Sequence, residues 1–247
     1  MHRGSILCIV HQRTSYPGRL GRLLMERGFA LDVRCPGVGQ ALPASPDGYA
    51  ATLIFGGPMS ANDDHLPAIA EELRWTERAL ASPQPLVGVC LGAQIMARVL
   101  GAKVWLHPNE HVEIGYADIR PTEHAGRYFA GPMRVFQWHK EGFDLPAGAT
   151  LLAAGGQDFP NQCFRYDSHC YGMQFHPEVT FDMMCRWTTH GAHMLTRPGA
   201  MPRDEVLRLY PIHDPPFGAW AENFVDHVLG LAVARGCCAP DRREDAA

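Results

Sequence analysis

Cys90 stands between two glycines in "LVGVCLGAQ", residues 86–94, where a short apolar run gives way to a helical pattern. Gly-x-Cys-x-Gly at such a junction has the spacing of a nucleophile elbow, a tight strand-to-helix turn that holds a reactive atom clear of its sheet. The turn is crowded, so its flanking positions have to be glycine. It also sets the sulfur at a helix start, where unpaired N–H groups and the helix dipole favour negative charge. A core cysteine beside unrelated glycines would show the same letters, so the reading needs partners. Of thirteen histidines, His176 in "GMQFHPE" is best placed, at the end of an apolar strand pattern. Parallel strands deliver their C-terminal ends to one rim, where α/β sites lie. Glu178 follows two residues later. With Pro177 fixing the backbone between them, its carboxylate can accept from the second ring nitrogen and orient the imidazole. Thiol, imidazole and carboxylate so arranged can carry nucleophilic acyl transfer. That chemistry also needs donors for a developing oxyanion, typically worth a few kcal/mol. "FGGPMS", residues 55–60, ends a buried strand in Gly-Gly-Pro and exposes backbone N–H groups. The candidate donors are the N–H of Gly57 and that of Leu91, the residue after Cys90. An ordinary strand-ending turn has the same composition.

These residues require a rigid frame, and the apolar periodicity supplies one. "ILCIVH" (6–11), "FALDVRC" (29–35), "ATLIFGG" (51–57) and "LVGVC" (86–90) read as strands. Between them, "GRLGRLLMERG" (18–28) and "LPAIAEELRWTERALA" (66–81) have helical spacing, the second placing Leu66, Ile69, Leu73 and Leu80 on one face. "LGAQIMARVLG" (91–101) is a helix closed by glycine. Strands alternating with helices imply a parallel sheet covered on both faces. The middle differs: "EIGYADIRP", "MRVFQWH", "ATLLAAGG", "NQCFRYD" and "YGMQFHPE" are strand-like, with "EHAGRYFAG" the one short helical candidate. A mixed or antiparallel extension of the same sheet is expected there. After Thr180 the pattern turns helical, with Pro-rich breaks at "RPGAMP" and "YPIHDPPFG" and a last helix over "AWAENFVDHVLGLAVA".

The bulk composition excludes several classes. With 247 residues, 46% hydrophobic and 19% charged, the chain suits one α/β domain, expected over 1–235, with a flexible tail at 236–247. A net charge of -4 without a basic run gives no footprint for nucleic acid. No stretch approaches the roughly 20 apolar residues of a membrane span. The opening "MHRGSILCIVHQ" starts a strand pattern at once and is too short for a signal peptide, so a cytoplasmic location is expected. Eight scattered cysteines without CxxC spacing read as reduced thiols, Cys237 and Cys238 in the tail among them. No metal is expected: His190 and His193 lie one helical turn apart without a third ligand, and Cys163, His169 and Cys170 lack zinc spacing. "GVG" at 37–39 is followed by no Gly-Lys-Ser, so no ATP site is visible and no cofactor is expected. Trp75, Trp187 and Trp220 fall in helical patterns and read as core.

"GGPMS", "GVCLGAQ" and "GMQFHPEV", in this order, resemble the class I (triad) glutamine amidotransferases, the free-standing bacterial type in particular. "VFQWHKEGFDLPAGATLLA" is a weaker match, and the resemblance spans roughly residues 5–230. The order Cys, His, Glu separates the chain from α/β hydrolases, in which the acid precedes the histidine. The resemblance implies a flavodoxin-like three-layer α/β fold: a mostly parallel central sheet, a mixed or antiparallel extension, and flanking helices. It implies hydrolysis of the glutamine γ-amide through a γ-glutamyl thioester on Cys90, with His176 protonating the departing ammonia and activating water. Gln94 matches a family position that contacts the substrate, and Met59, Trp138 and His139 match other parts of the pocket wall. The family usually has "HGD" where this chain has His139, Lys140 and Glu141. If both side chains point inward, Lys140 would meet a substrate carboxylate and Glu141 an amino group. The acceptor of the ammonia is open, a separate synthetase subunit being one partner the resemblance allows. Hydrolysis of γ-glutamyl peptides by the same triad, and a non-enzymatic scaffold, are the competing readings.

Overall fold

The computed structural model describes residues 3–230. In chain order the regular elements are β1 (Ser5–Ile9), α1 (Gly18–Glu26), β2 (Ala30–Arg34), β3 (Ala51–Ile54), α2 (Pro67–Ala81), β4 (Leu86–Val89), α3 (Leu91–Val99), β5 (Val104–Leu106) and β6 (Glu113–Pro121). There follow β7 (Met133–His139), β8 (Glu141–Phe143), β9 (Thr150–Ala154), β10 (Asn161–Tyr166), β11 (Cys170–Met173), α4 (Phe181–His190) and α5 (Arg203–Val228).

Nine strands form one sheet in the order β2-β1-β3-β4-β11-β10-β9-β6-β7, and β5 pairs with β8 in a separate ribbon. From β2 to β11 every pairing is parallel; from β11 through β10, β9 and β6 to β7 every pairing is antiparallel. The expected fold, a parallel α/β half extended by antiparallel strands, is the one observed. Alternate residues of β1 serve opposite faces. Ile6 and Cys8 pack with Leu20, Leu23 and Leu24 of α1 and with Phe217, Trp220 and Phe224 of α5. Leu7 and Ile9 pack with Ile69, Trp75 and Ala79 of α2 and with Ile95 and Met96 of α3. A strand buried on both faces reads as a continuous apolar run, as "SILCI" does. No helix among the described residues is long and apolar enough to cross a membrane.

Three expectations change. "YPIHDPPFG" is not a break: Pro211, Pro215 and Pro216 lie inside the continuous helix α5. Each interior proline removes a hydrogen bond and crowds the preceding turn, at a typical cost of about 3 kcal/mol. Tertiary packing offsets it here. Phe217, Trp220 and Phe224 stack along the helix with centroids 5.9 and 5.1 Å apart, Phe175 meets Trp220 at 5.3 Å, and Arg19 forms an ion pair with Asp214. "EHAGRYFAG" yields only a single 3₁₀ turn, Gly126–Tyr128. The buried face of α2 is Ile69, Glu72, Trp75, Thr76 and Ala79, whereas Leu66 is exposed and Leu73 and Leu80 are half-buried. Trp75 anchors that face, its indole N–H donating to the Pro43 carbonyl at 2.8 Å. The end of the last helical pattern (231–234), Cys237, Cys238 and the rest of the tail lie outside the described residues.

Candidate active site

Cys90 occupies the single residue between β4 and α3, with φ 51° and ψ -105°. For a non-glycine residue this is a strained backbone, and such strain persists only where the surroundings enforce it. The enforcement is visible on both sides. A Cβ at Gly88 would stand 2.6 Å from the Gly92 carbonyl carbon, and one at Gly92 would stand 2.2 Å from the Ile54 oxygen of β3. Both obstacles are backbone, so neither can yield. The Cys90 N–H donates to the Met173 carbonyl at 2.8 Å, which ties the turn to the end of β11.

β11 ends at Met173, earlier than the apolar pattern suggests, and His176 lies in the turn beyond it. Three contacts fix that turn. The His176 N–H donates to the Phe136 carbonyl at 2.9 Å, Val179 donates to the His176 carbonyl at 3.3 Å, and Arg19 donates to the Glu178 carbonyl at 2.7 Å. The last comes from the first turn of α1, where Gly18 adopts φ +52° and a Cβ would strike the Glu178 oxygen at 2.1 Å. "YPG" at 16–18 is therefore part of the site, a contribution not evident in the sequence. His176 Nδ1 donates to Glu178 Oε1 at 2.8 Å, and both side chains are 3% exposed. Burial alone would lower the imidazole pKa. The Glu178 carboxylate and the Cys90 sulfur facing the ring outweigh it and raise the value to about 10. His176 Nε2 is buried without a completed hydrogen bond, and the thiol points to the Trp138 carbonyl at 4.0 Å. Such contacts are commonly long before substrate arrives.

Residues 55–60 cross beside this pair. A Cβ at Gly56 would stand 2.8 Å from His176 Cε1 and 3.5 Å from Cys90 Cβ, so only glycine lets the loop approach so closely. The N–H groups of Gly57 and Leu91 have no hydrogen-bond partner among the described residues. Behind the loop lies a pair the motifs do not contain: His11, whose Nδ1 donates to the Gly56 carbonyl at 3.1 Å and whose Nε2 meets Glu72 at 2.9 Å.

Beside the pair runs a polar strip of β7 and β8. Gln94 is buried, and its amide donates to the Glu141 carbonyl at 2.9 Å. Glu141 is buried as well, with Oε1 accepting from Ser60 Oγ at 2.8 Å, next to the half-buried Met59. Its carboxylate therefore faces inward, toward the 55–60 loop. Lys140 is half-buried and forms no ion pair among the described residues. Both ring nitrogens of His139 are taken up within the protein, Nδ1 lying 3.1 Å from the Glu141 carbonyl oxygen and Nε2 2.9 Å from Glu113, so it braces the strip from behind. Trp138 is half-buried and packs against Trp187, whose ring also meets His176 edge-on at 4.9 Å. Trp187 packs against the core, its ring 6.2 Å from that of the buried Phe136, and also borders His176, while Trp75 and Trp220 lie within the core.

One group of three among the described residues has metal-ligand types in reach of one another, His107, His111 and Asp158, within 4.8 Å. His107 Nδ1 accepts from the Asn109 N–H at 3.2 Å, which leaves the ring proton on Nε2, facing Asp158 at 3.4 Å. His111 Nδ1 donates to the other Asp158 oxygen at 2.7 Å. His190 and His193 belong to no such group. Cys163 and Cys170 are buried thiols, Cys170 pushed up to about 12 by burial and then by Asp167, and His169 is tied to the Ser82 carbonyl.

A family model described as glutamine amidotransferase class-I matches residues 14–196, and the chain belongs to that family. Its members' shared chemistry is release of the glutamine amide. A glutamine amidotransferase-like protein of Salmonella typhimurium, YfeJ, is 29% identical over 184 residues, 70% of this chain and 75% of that one. The glutamine-hydrolysing GMP synthase of Hydrogenovibrio crunogenus is 30% identical over 161 residues, which is 61% of this chain but only 28% of the synthase. Among solved structures, a glutamine amidotransferase from Thermotoga maritima superposes with TM-score 0.83 at 27% identity, covering 93% of this chain and 99% of that one. One from Methylobacillus flagellatus reaches TM-score 0.86 at 26% identity, covering 93% and 95%.

Proposed function

We propose that the protein hydrolyses the γ-amide of glutamine with Cys90 as nucleophile, His176 as proton carrier and Glu178 as the group that orients it. The observation that carries this reading is the enforced Cys90 turn facing a buried His176–Glu178 pair. The sulfur attacks the amide carbon while the Gly57 and Leu91 N–H groups receive the oxyanion. His176 delivers its proton to the amide nitrogen, the C–N bond breaks, and ammonia leaves a γ-glutamyl thioester. His176 then takes a proton from water as it attacks the thioester, and glutamate and the thiol are released. The inward carboxylate of Glu141 suits the substrate α-amino group, and Gln94, Met59 and Trp138 line the approach. His139 acts through Glu141 and Glu113 rather than by direct contact.

The GMP synthase relatives are named as glutamine-hydrolysing, and the match covers about a quarter of their length. By that analogy the ammonia passes to an acceptor activated by a separate synthetase chain. The test is turnover of free glutamine against γ-glutamyl peptides by the purified protein and by His176→Ala. Glutamine hydrolysis that disappears in the variant supports the reading. Turnover of peptides alone would reassign the substrate, and turnover of neither would leave a scaffold.

A further inference from the structure

His11 follows β1 closely and is 5% exposed; Glu72, on the buried face of α2, is 1% exposed. A buried charge is tolerated when it is paired and hydrogen-bonded, and this pair is both. The ring lies between two acceptors. Nε2 is 3.0 and 2.9 Å from the two Glu72 oxygens, and Nδ1 is 3.1 Å from the Gly56 carbonyl oxygen. A neutral imidazole has one N–H and would turn a lone pair toward one of these acceptors. The doubly protonated ring satisfies both. Burial opposes that charge, but Glu72 and then the Gly56 carbonyl outweigh it and raise the His11 pKa above its ordinary value.

The consequence falls on the following peptide group. The described chain has no cis peptide bond, so the C=O of Gly56 and the N–H of Gly57 point in opposite directions. A carbonyl held on His11 turns that N–H away from His11. The loop's other flank is the His176–Cys90 side, which a Gly56 Cβ would touch. Glycine pairs are also the linkages freest to flip, since both signs of φ are open to them. We propose that His11, charged and anchored by Glu72, is a positioning residue: it holds the Gly56–Gly57 peptide so that the Gly57 N–H stays aimed at the oxyanion. This rests on Cys90 as nucleophile and the Gly57 N–H as donor.

Two variants separate the ring's contacts. In His11→Asn the amide nitrogen falls near the position of Nδ1 and keeps a donor for Gly56. In His11→Gln it falls near Nε2 and keeps one for Glu72 only. His11→Gln should lower kcat about 100-fold, the typical loss for one oxyanion donor, with KM within about twofold. His11→Asn should stay within about tenfold of wild type. Alkylation of Cys90 by iodoacetamide forms no oxyanion, so its rate should match wild type in both. Equal losses in the two variants, unchanged kcat in His11→Gln, or alkylation falling in step with kcat would overturn the proposal. In wild type, ¹⁵N NMR of labelled histidine should find both His11 nitrogens protonated at pH 7. A singly protonated ring would overturn the proposal even if neither variant folded. Failure of the underlying reading looks different: turnover would survive full alkylation of Cys90 in the wild type.

Discussion

Cys90→Ser replaces one atom and leaves the enforced turn in place. A hydroxyl is far harder to ionise beside the same imidazole, so turnover should fall at least about a thousandfold, measured as glutamate released. His176→Ala should be as damaging. Glu178→Gln should keep roughly ten to a hundred times more activity than His176→Ala, because the third member orients rather than transfers. If Glu178→Gln matched wild type, the orienting group would have to be another residue. Cys90, His176 and Glu178 could be proposed from the chain because each sits in a local motif whose spacing carries its reason, and the fold brings the three together. His11 and Glu72 could not: they are 61 residues apart, and neither stands in a motif. One signal was present. Glu72 interrupts the apolar face of Ile69, Trp75 and Ala79, and a carboxylate in that place demands a partner.

At the level of elements, the glycines separate shape from chemistry. Gly92→Ala would press a Cβ onto the Ile54 backbone oxygen, and since two packed elements must part, it should cost about 2–4 kcal/mol in urea unfolding as well as activity. Gly56→Ala meets a side-chain atom, His176 Cε1, so it should abolish most activity while shifting stability by less than about 1 kcal/mol. Equal stability losses in the two would mean that the 55–60 loop is as rigid as the elbow. The helices and strands of the parallel half followed from periodicity, because each element there buries its own repeating face. α5 did not, because proline is a local signal against helix, and the Phe217–Trp220–Phe224 stack that overrides it is tertiary. The early end of β11 was also hidden: Gln174 and Phe175 are buried like strand residues, although the ladder has stopped.

Across the whole molecule, two buried histidines hold protons more tightly than the unfolded chain does. His176 is raised to about 10 and His11 is raised as well. Below about pH 6.5 both states are protonated and the stabilisation is complete. As pH rises toward 10 the unfolded chain releases these protons first, so stability declines, by at most about 1.4 kcal/mol per pH unit for each group. Above about 9 the buried thiols act in the same direction, since Cys8 and Cys170 are pushed to about 12 and resist ionising in the folded state. The urea midpoint should therefore fall steadily between pH 6.5 and 9, and Glu178→Gln should flatten that slope. A midpoint that rises over this range would contradict the charged state of both histidines. The antiparallel half of the sheet belongs to this scale too. Its strands are visible singly, but β6 pairs with β9 past β7, which pairs back onto β6, and β8, which leaves for the ribbon with β5, an order that no local pattern encodes.

Cleavage of the glutamine amide on one sulfur can be read from covalent labelling. A glutamine-mimicking diazo-ketone is added in slight excess to wild-type protein, and the product is followed by peptide mass mapping. One equivalent should bind, on the peptide carrying Cys90, with turnover lost in proportion to labelling. Label on Cys163 or Cys185, or turnover persisting in protein fully labelled at Cys90, would contradict it.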